Sequence, residues 1–359
     1  GIESYIAATF DSSNNKVIIA FQESRNTTGK AIVGTVSGTS ISFGSVAAFD
    51  SGVSVTFIDI TFDSSNNKAV IAYKDGNNSN YGTAIVGTVS GTSISFGTAV
   101  VFESANTNDV AITFDSSNNK VVVAYKENAG RAKVGTVSDT SISFGSDYSF
   151  TGGNAATKIK ATFDTNNNKV IIAYRDTTDS NKGKAVVGTV SGTAISFGTP
   201  VVFESAVTSD IAMDYDSSAQ KVVILYRDGD NSNYGEYVIG TVSGTSLSFN
   251  SPVIINTAYT QMNAVTYDSN ADKTVLSYQD VGNSQHGTSR VLRNASSSTN
   301  LTSSENFIGF SDGAFADGQS AVINTANTID RNQSSLTAGQ TLFVQTDGTI
   351  GETADSPSV

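Results

Sequence analysis

The motif Phe/Tyr-Asp-x-x-x-x-Lys occurs six times, with its aspartate at Asp11, Asp63, Asp115, Asp164, Asp216 and Asp268. The intervals are 52, 52, 49, 52 and 52 residues. A fixed period of this size requires a repeat architecture, in which one supersecondary unit recurs and buries its faces against its neighbours.

The second repeat shows what the unit is. Ile58 to Phe62 alternates in polarity, and Asp63-Ser-Ser-Asn-Asn67 is a turn sequence. Lys68 to Tyr73 (KAVIAY) follows, then the loop Asp75 to Gly82, a third strand from Thr83 to Val89, the turn Ser90-Gly-Thr-Ser93, and a fourth strand from Ile94 to Phe102. We label these strands a, b, c and d. The connections are short enough for antiparallel neighbours. Strand b reads VIIAF, AVIAY, VVVAY, VIIAY, VVILY and TVLSY through the six repeats. Such continuous apolar runs imply burial on both faces. A four-stranded meander buried on both faces needs another sheet on each side, which radially packed blades supply. The sequence therefore predicts an all-β protein: a six-bladed β-propeller of four-stranded antiparallel blades over residues 1–310, with strand a innermost. Segment 300–310 is expected as the outer strand of the last blade.

Strand c carries a glycine at Gly34, Gly87, Gly135, Gly188 and Gly240, and Leu292 takes that place in the sixth repeat. Glycine inside a strand implies close approach of something bulky. The expected neighbour is the aromatic residue closing strand b: Phe21, Tyr73, Tyr125, Tyr174 or Tyr226. Beyond residue 310 the pattern changes. Ala321–Asn324 and Thr341–Gln345 read as short strands, and Asp347-Gly348 is a hairpin turn signal. Residues 311–359 are expected to form a small β appendage, cut short at its end.

Composition excludes several functions. The 359 residues carry a net charge of -12, against the basic patches that nucleic acids and anionic membrane surfaces require. No run approaches the length of a membrane-spanning helix, so membrane insertion is not expected. There are no cysteines, which removes disulfides and thiolate chemistry. The chain opens at Gly1 directly on a strand, without Met or leader, as expected of a processed or excised part of something longer.

Several segments carry a family resemblance. FDSSNNKVVVAYKE (114–127), GTAIVGTVSGTSISFGT (82–98) and VVFESANT (100–107) resemble a repeat of marine bacteriophage virion proteins of the tail-fibre or spike type. NLTSSENFIGFSDGAFADGQ (300–319) and SSLTAGQTLFVQTDGTI (334–350) resemble a C-terminal module that follows such repeats. The resemblance covers nearly the whole chain. It implies a virion surface or extracellular location, other virion proteins as neighbours and attachment to a host, with a further strand of the module after Val359.

Antiparallel blades place the a–b and c–d turns on one face, and the b–c loops and d–a connections on the other. The first class is nearly uniform (DSSNN, DTNNN; VSGTS), as expected if Asx-type bonds from side chain to backbone close the hairpins. The second class varies, from ENAGR to DTTDSNKGK among b–c loops. Binding sites are usually built on variable loops of a rigid scaffold.

Three sets of residues on the variable face are candidates. Strand b ends in an acid in every repeat (Glu23, Asp75, Glu127, Asp176, Asp228, Asp280), preceded by Gln, Lys or Arg. These are either solvated turn residues or, in the loops Asp75-Gly-Asn77 and Asp228-Gly-Asp230, oxygen ligands for calcium. At the entry to strand a stand Tyr5, Phe57, Asp109, Lys158, Asp210 and Met262. With Asp59 further inward, Asp109, Lys158 and Asp210 make either a polar pocket for sugar hydroxyls or an ordinary wet channel. Tyr81, Tyr234 and Tyr259 supply aromatic surface in a chain without Trp.

Catalysis is not expected. A sialidase-type Asp box needs Trp, the arginines are scattered, and the single histidine, His286, has no partner pattern. No cofactor is expected beyond that candidate calcium. The function that follows is non-enzymatic binding of a host-surface glycan or protein. A structural spacer or decoration module and a bacterial surface adhesin are the alternatives.

Overall fold

A computed structural model describes residues 4–52 and 54–292, together with four short strands at 310–311, 323–324, 343–344 and 350–351. Residues 1–295 form one compact unit and 296–359 another.

The first unit is a six-bladed β-propeller. Strand a spans Ser4–Asp11, Val55–Asp63, Asn108–Asp115, Ala156–Asp164, Thr208–Asp216 and Thr260–Asp268 in blades 1 to 6. Each pairs antiparallel with strand b of its own blade, and b pairs with c. The six a strands line one channel. Strand a is innermost because its partner b is a continuous apolar run with no solvated face. In blades 2 to 5 the core of strand b is fully buried, as in Val121 to Tyr125.

Strand d departs from the sequence expectation. Among the described residues it is continuous only in the third blade, Ser141–Ser149. In blades 1, 2, 4 and 5 it is two segments, such as Ser93–Phe96 and Val100–Asn106, both paired with strand c. The break falls at Gly44, Gly97 and Gly198 in blades 1, 2 and 4, and at Asn250 in blade 5. A Cβ on Gly97 would lie 1.8 Å from the carbonyl oxygen of Thr140 in the next blade's c–d turn. The chain touches its neighbour there, and no side chain fits. The expected outer strand of blade 6, 300–310, lies outside the described residues except Phe310. The strand Phe310–Ser311 pairs with Ile323–Asn324, and Phe343–Val344 with Ile350–Gly351 across the Asp347-Gly348 sequence.

The strand-c glycines are corrected by the packing. A Cβ on Gly135 would come within 2.8 Å of Ile142 Cδ1 and 2.9 Å of Phe144, both on strand d of the same blade. The expected strand-b aromatic is not the neighbour. Tyr125 instead meets Phe102, from strand d of the preceding blade, with ring centroids 5.2 Å apart. Equivalent pairs recur as Phe49–Tyr73, Phe150–Tyr174 and Phe203–Tyr226, tilted or edge-on, so aromatic contacts knit blades 1 to 5 together.

The uniform turns do what the sequence implied. Asp115 Oδ1 accepts the backbone N–H groups of Ser117 and Asn118, each at 3.0 Å, and Oδ2 accepts the Asn118 amide at 2.8 Å. Adjacent turns are bonded together, as in Ser65 Oγ to Asn119 Oδ1. On the opposite face backbone hydrogen bonds tie the d–a connections to the b–c loops. Gly76 N donates to Ser54 O within blade 2, and Thr107 N donates to Asn80 O from blade 3. The variable loops are therefore held by backbone hydrogen bonds.

Candidate functional site

The mouth of the channel on the variable face is built by a repeated irregularity. Every a–b pairing breaks register after the first residues of strand a, for example between Asn108 and Ala111. Tyr5, Phe57, Asp109, Lys158, Asp210 and Met262 sit in these six breaks, and all adopt left-handed backbone, with φ between 48° and 57°. For non-glycine residues this conformation costs on the order of 1 kcal/mol or more each and persists where surrounding structure dictates it. Bulges of this kind re-aim side chains. The frame is constant around the ring, while its six side chains are nearly all different. The sequence singled out these positions by spacing, and the common backbone conformation gives them a physical identity.

Their contacts divide the ring. Tyr5 and Phe57 form a tilted aromatic pair at 5.4 Å, and Lys74 Nζ lies 5.8 Å from the Phe57 centroid. Asp109 Oδ1 accepts the backbone N–H of Lys158 at 2.9 Å, and the Lys158 side chain is exposed. Asp210 Oδ2 pairs with Arg227 Nη2 at 3.1 Å. The same guanidinium lies 4.6 Å from the Tyr259 ring centroid and donates to the Tyr259 hydroxyl. Arg227 Nε is buried without a partner among the described residues. Asp210 and Tyr259, two of the residues expected from the sequence, are thus joined by a third. In the sequence Arg227 stands out only as the residue before the acid of strand b.

Asp59 lies deeper, in a channel cavity of about 750 Å³ lined also by Lys160, Thr113, Thr162, Asp214 and Asn263. Its oxygens accept the N–H of Ile60 at 3.0 Å and of Ile112, in the next blade, at 2.9 Å. Asp214 does the same between blades 5 and 6, accepting from Tyr215 and Tyr267, both at 2.8 Å. Burial pushes both carboxyls up; Lys160 opposes this at Asp59, and the backbone donors oppose it at both. These two aspartates tie inner strands together through backbone hydrogen bonds.

Tyr81 and Tyr234 open strand c in blades 2 and 5, paired with Asp75 and Asp228 respectively. They stand on separate b–c loops, away from the inner strands that carry Asp109 and Asp210. Asp75 uses Oδ1 to accept the N–H groups of Asn77 and Asn78, and Asp228 does so with Asp230 and Asn231. Both loops are therefore Asx turns.

Asp228 has another set of neighbours. Oxygens of Glu204, Asp228 and Glu236, all buried, lie within 4.8 Å of one another. Tyr226 Oη donates to Glu204 at 2.8 Å, and Asn231 Nδ2 to Glu236 at 2.7 Å. Burial pushes the carboxyls of Asp228 and Glu236 up. In register, Glu236 occupies the position of Lys30, Arg131 and Lys184 in sibling blades. There the cation meets the strand-b acid: Lys30 with Glu23 at 2.8 Å, Arg131 with Glu127 at 3.1 Å, Lys184 with Asp176 at 2.9 Å. Blade 5 reverses this charge. Among the described residues these three carboxylates are the donor set nearest to what a hard cation takes, and only Asp228 of them was expected from the sequence. Aligning the repeats at Glu236 would have found the reversal.

No protein-family model and no curated protein matches this sequence. Similarity to solved structures is extensive in shape and slight in sequence. The BP39L lectin of Burkholderia pseudomallei superposes with TM-score 0.61 at 10% identity, covering 81% of each chain. AofleA of Arthrobotrys oligospora gives 0.54 at 7% identity, covering 81% of this chain and 83% of its own. The SapL1 lectin, solved with alpha methyl fucoside, gives 0.50 at 13% identity, covering 80% of this chain and 92% of its own. At such identities the likeness establishes the propeller fold.

Proposed function

We propose that this protein is a non-enzymatic glycan-binding propeller that engages a host-surface glycan through its variable face. The observation that carries this is the Asp210–Arg227–Tyr259 constellation at the channel mouth. It combines an aromatic ring for the apolar face of a sugar with a carboxylate and a guanidinium for its hydroxyls. The surrounding b–c loops and d–a connections are locked by backbone bonds, so little ordering entropy opposes binding. Two of the similar structures are lectins, one in complex with a fucoside, which favours the same ligand class. The resemblance to phage tail-fibre repeats favours a virion-surface setting, among other virion proteins.

The absence of catalysis is part of the proposal. The buried carboxylates of blade 5 are held by Tyr226 and Asn231, and His286 is exposed on the last described strand c. A glycan array probed with the full chain tests the proposal. Tyr259→Ala and Arg227→Ala should each weaken binding at least about tenfold, the loss of one stacking or charged contact. Ser65→Ala on the opposite face should leave it unchanged. Binding to no glycan, or loss only with Ser65→Ala, would overturn the proposal.

A further inference from the structure

Each blade has a back face, turned to the preceding blade, and a front face, turned to the next. In blades 2 to 5 the back face is covered. Ile58, 7% exposed, and Ile94, 6%, pack with Ile18, Ala20, Ala31 and Val33 of blade 1, and Phe62 is 8% exposed. The equivalent residues of blade 1 are chemically the same and uncovered: Ile6 is 62% exposed, Phe10 55% and Ile41 42%, with Val36 and Phe43 alongside. Strand a of blade 1 does not lie against strand a of blade 6 as the other five neighbouring pairs lie against each other. Ile6, Phe10 and Val17 line the channel cavity.

The described strands of blade 6 do not present the complement that this face requires. The front faces of blades 1 to 4 carry an alanine pair in register: Ala20–Ala31, Ala72–Ala84, Ala124–Ala132 and Ala173–Ala185. Blade 6 has Ser277 opposite Ser289, their hydroxyls bonded to each other at 2.9 Å in an exposed setting. An apolar back face and a hydroxylated front face are poor partners, since apolar area left in water forfeits roughly 25 cal/mol per Å². Exposed apolar patches of this kind mark interaction sites.

We infer that the seam between blades 6 and 1 seats a further blade of the same repeat class, supplied by the same polypeptide ahead of residue 1. Its alanine-bearing front face covers Ile6, Phe10, Ile41 and Phe43, as every other front face covers its successor. Its back face meets the serine face of blade 6, the more polar of the two contacts, where the ring closes without a covalent link.

The test compares the 359-residue chain with two extended chains carrying a copy of residues 105–153, or of 154–205, ahead of residue 1. In each background Phe10→Ser and Phe43→Ser are made together, and Tm and solution mass are measured. In the 359-residue chain the pair should move Tm by no more than about 1 °C, because both rings are already in water. In at least one extended chain the parent should melt higher, and the pair should lower Tm by several degrees, the scale of a lost buried contact. A large cost already in the 359-residue chain as a monomer would mean that the chain covers its own seam. A dimer dissolved by Phe43→Asp would mean that a second copy covers it. No added cost in either extended chain would mean that no repeat seats there. Each of these three results overturns the inference.

Discussion

Phe102, on strand d of blade 2, packs at a tilt against Tyr125, on strand b of blade 3, and the Tyr125 hydroxyl donates at 2.8 Å to Glu103, the residue after Phe102. One aromatic pair and one hydrogen bond thus join two blades through adjacent residues. The arrangement recurs between blades 4 and 5 with Phe203, Tyr226 and Glu204. Phe102→Ala should therefore destabilise by about 3–5 kcal/mol, the usual cost of emptying a buried phenylalanine site. Tyr125→Phe should cost about 1 kcal/mol, for the hydrogen bond alone. Urea midpoints measure both; equal effects would mean that the hydroxyl holds the two blades together as strongly as the packed rings do.

Two glycines separate crowding from backbone strain. Gly135→Val adds side-chain bulk against Ile142 and Phe144, which can shift, and should cost roughly 1–3 kcal/mol. Gly97→Ala faces the Thr140 carbonyl, a backbone atom that cannot rotate away, and should cost more than Gly91→Ala. Gly91 has φ +62° and open space around it, so alanine there meets only backbone strain of on the order of 1 kcal/mol. Thermal melts of the three variants give the ranking, and a Gly97→Ala protein as stable as Gly91→Ala would refute the inter-blade contact.

The uniform face should matter to stability and not to ligand. Asp115→Ala leaves the N–H groups of Ser117 and Asn118 without their acceptor and should destabilise by about 1–3 kcal/mol. Glycan binding at a temperature where the variant is folded should match the parent. A specific loss of binding would move the site to that face.

The blade 5 carboxylates should give a pH signature. Burial raises Asp228 and Glu236, so their folded forms hold protons more tightly than the unfolded chain does. The associated stability is fully present below the ordinary carboxylate range and is lost as pH rises through the raised folded values. Asp176 works in the opposite sense. Burial pushes its carboxyl up, but hydrogen bonds from Thr178 and Lys184 outweigh this and hold it low, so its contribution is lost only as pH falls through that lowered value. Glu236→Gln should raise Tm at pH 7 and gain less than the parent on acidification toward pH 5. Parallel pH profiles for parent and variant would show that Glu236 carries no such penalty.

Much of this was legible in one dimension. The Asp-x-x-x-x-Lys spacing, the apolar b strands and the turn sequences require six antiparallel blades, because period-two and 52-residue patterns are local properties of the chain. The same spacing picked out Asp109, Lys158 and Asp210 as a set, since equivalent positions of a radial repeat must converge. What the chain could not determine is which side chains meet across blades. Phe102 reaches Tyr125, and Glu204 reaches Glu236, only because strand d of one blade lies beside strands b and c of the next, and Tyr259 reaches Arg227 because the connection from blade 5 to blade 6 passes the end of strand b. Side-chain direction and blade stagger decide those contacts, and neither is encoded in spacing. The uncovered face of blade 1 is the clearest case. Ile6, Phe10 and Ile41 read in sequence like Ile58, Phe62 and Ile94, and only the tertiary arrangement, which gives the latter a neighbour, makes one set core and the other surface.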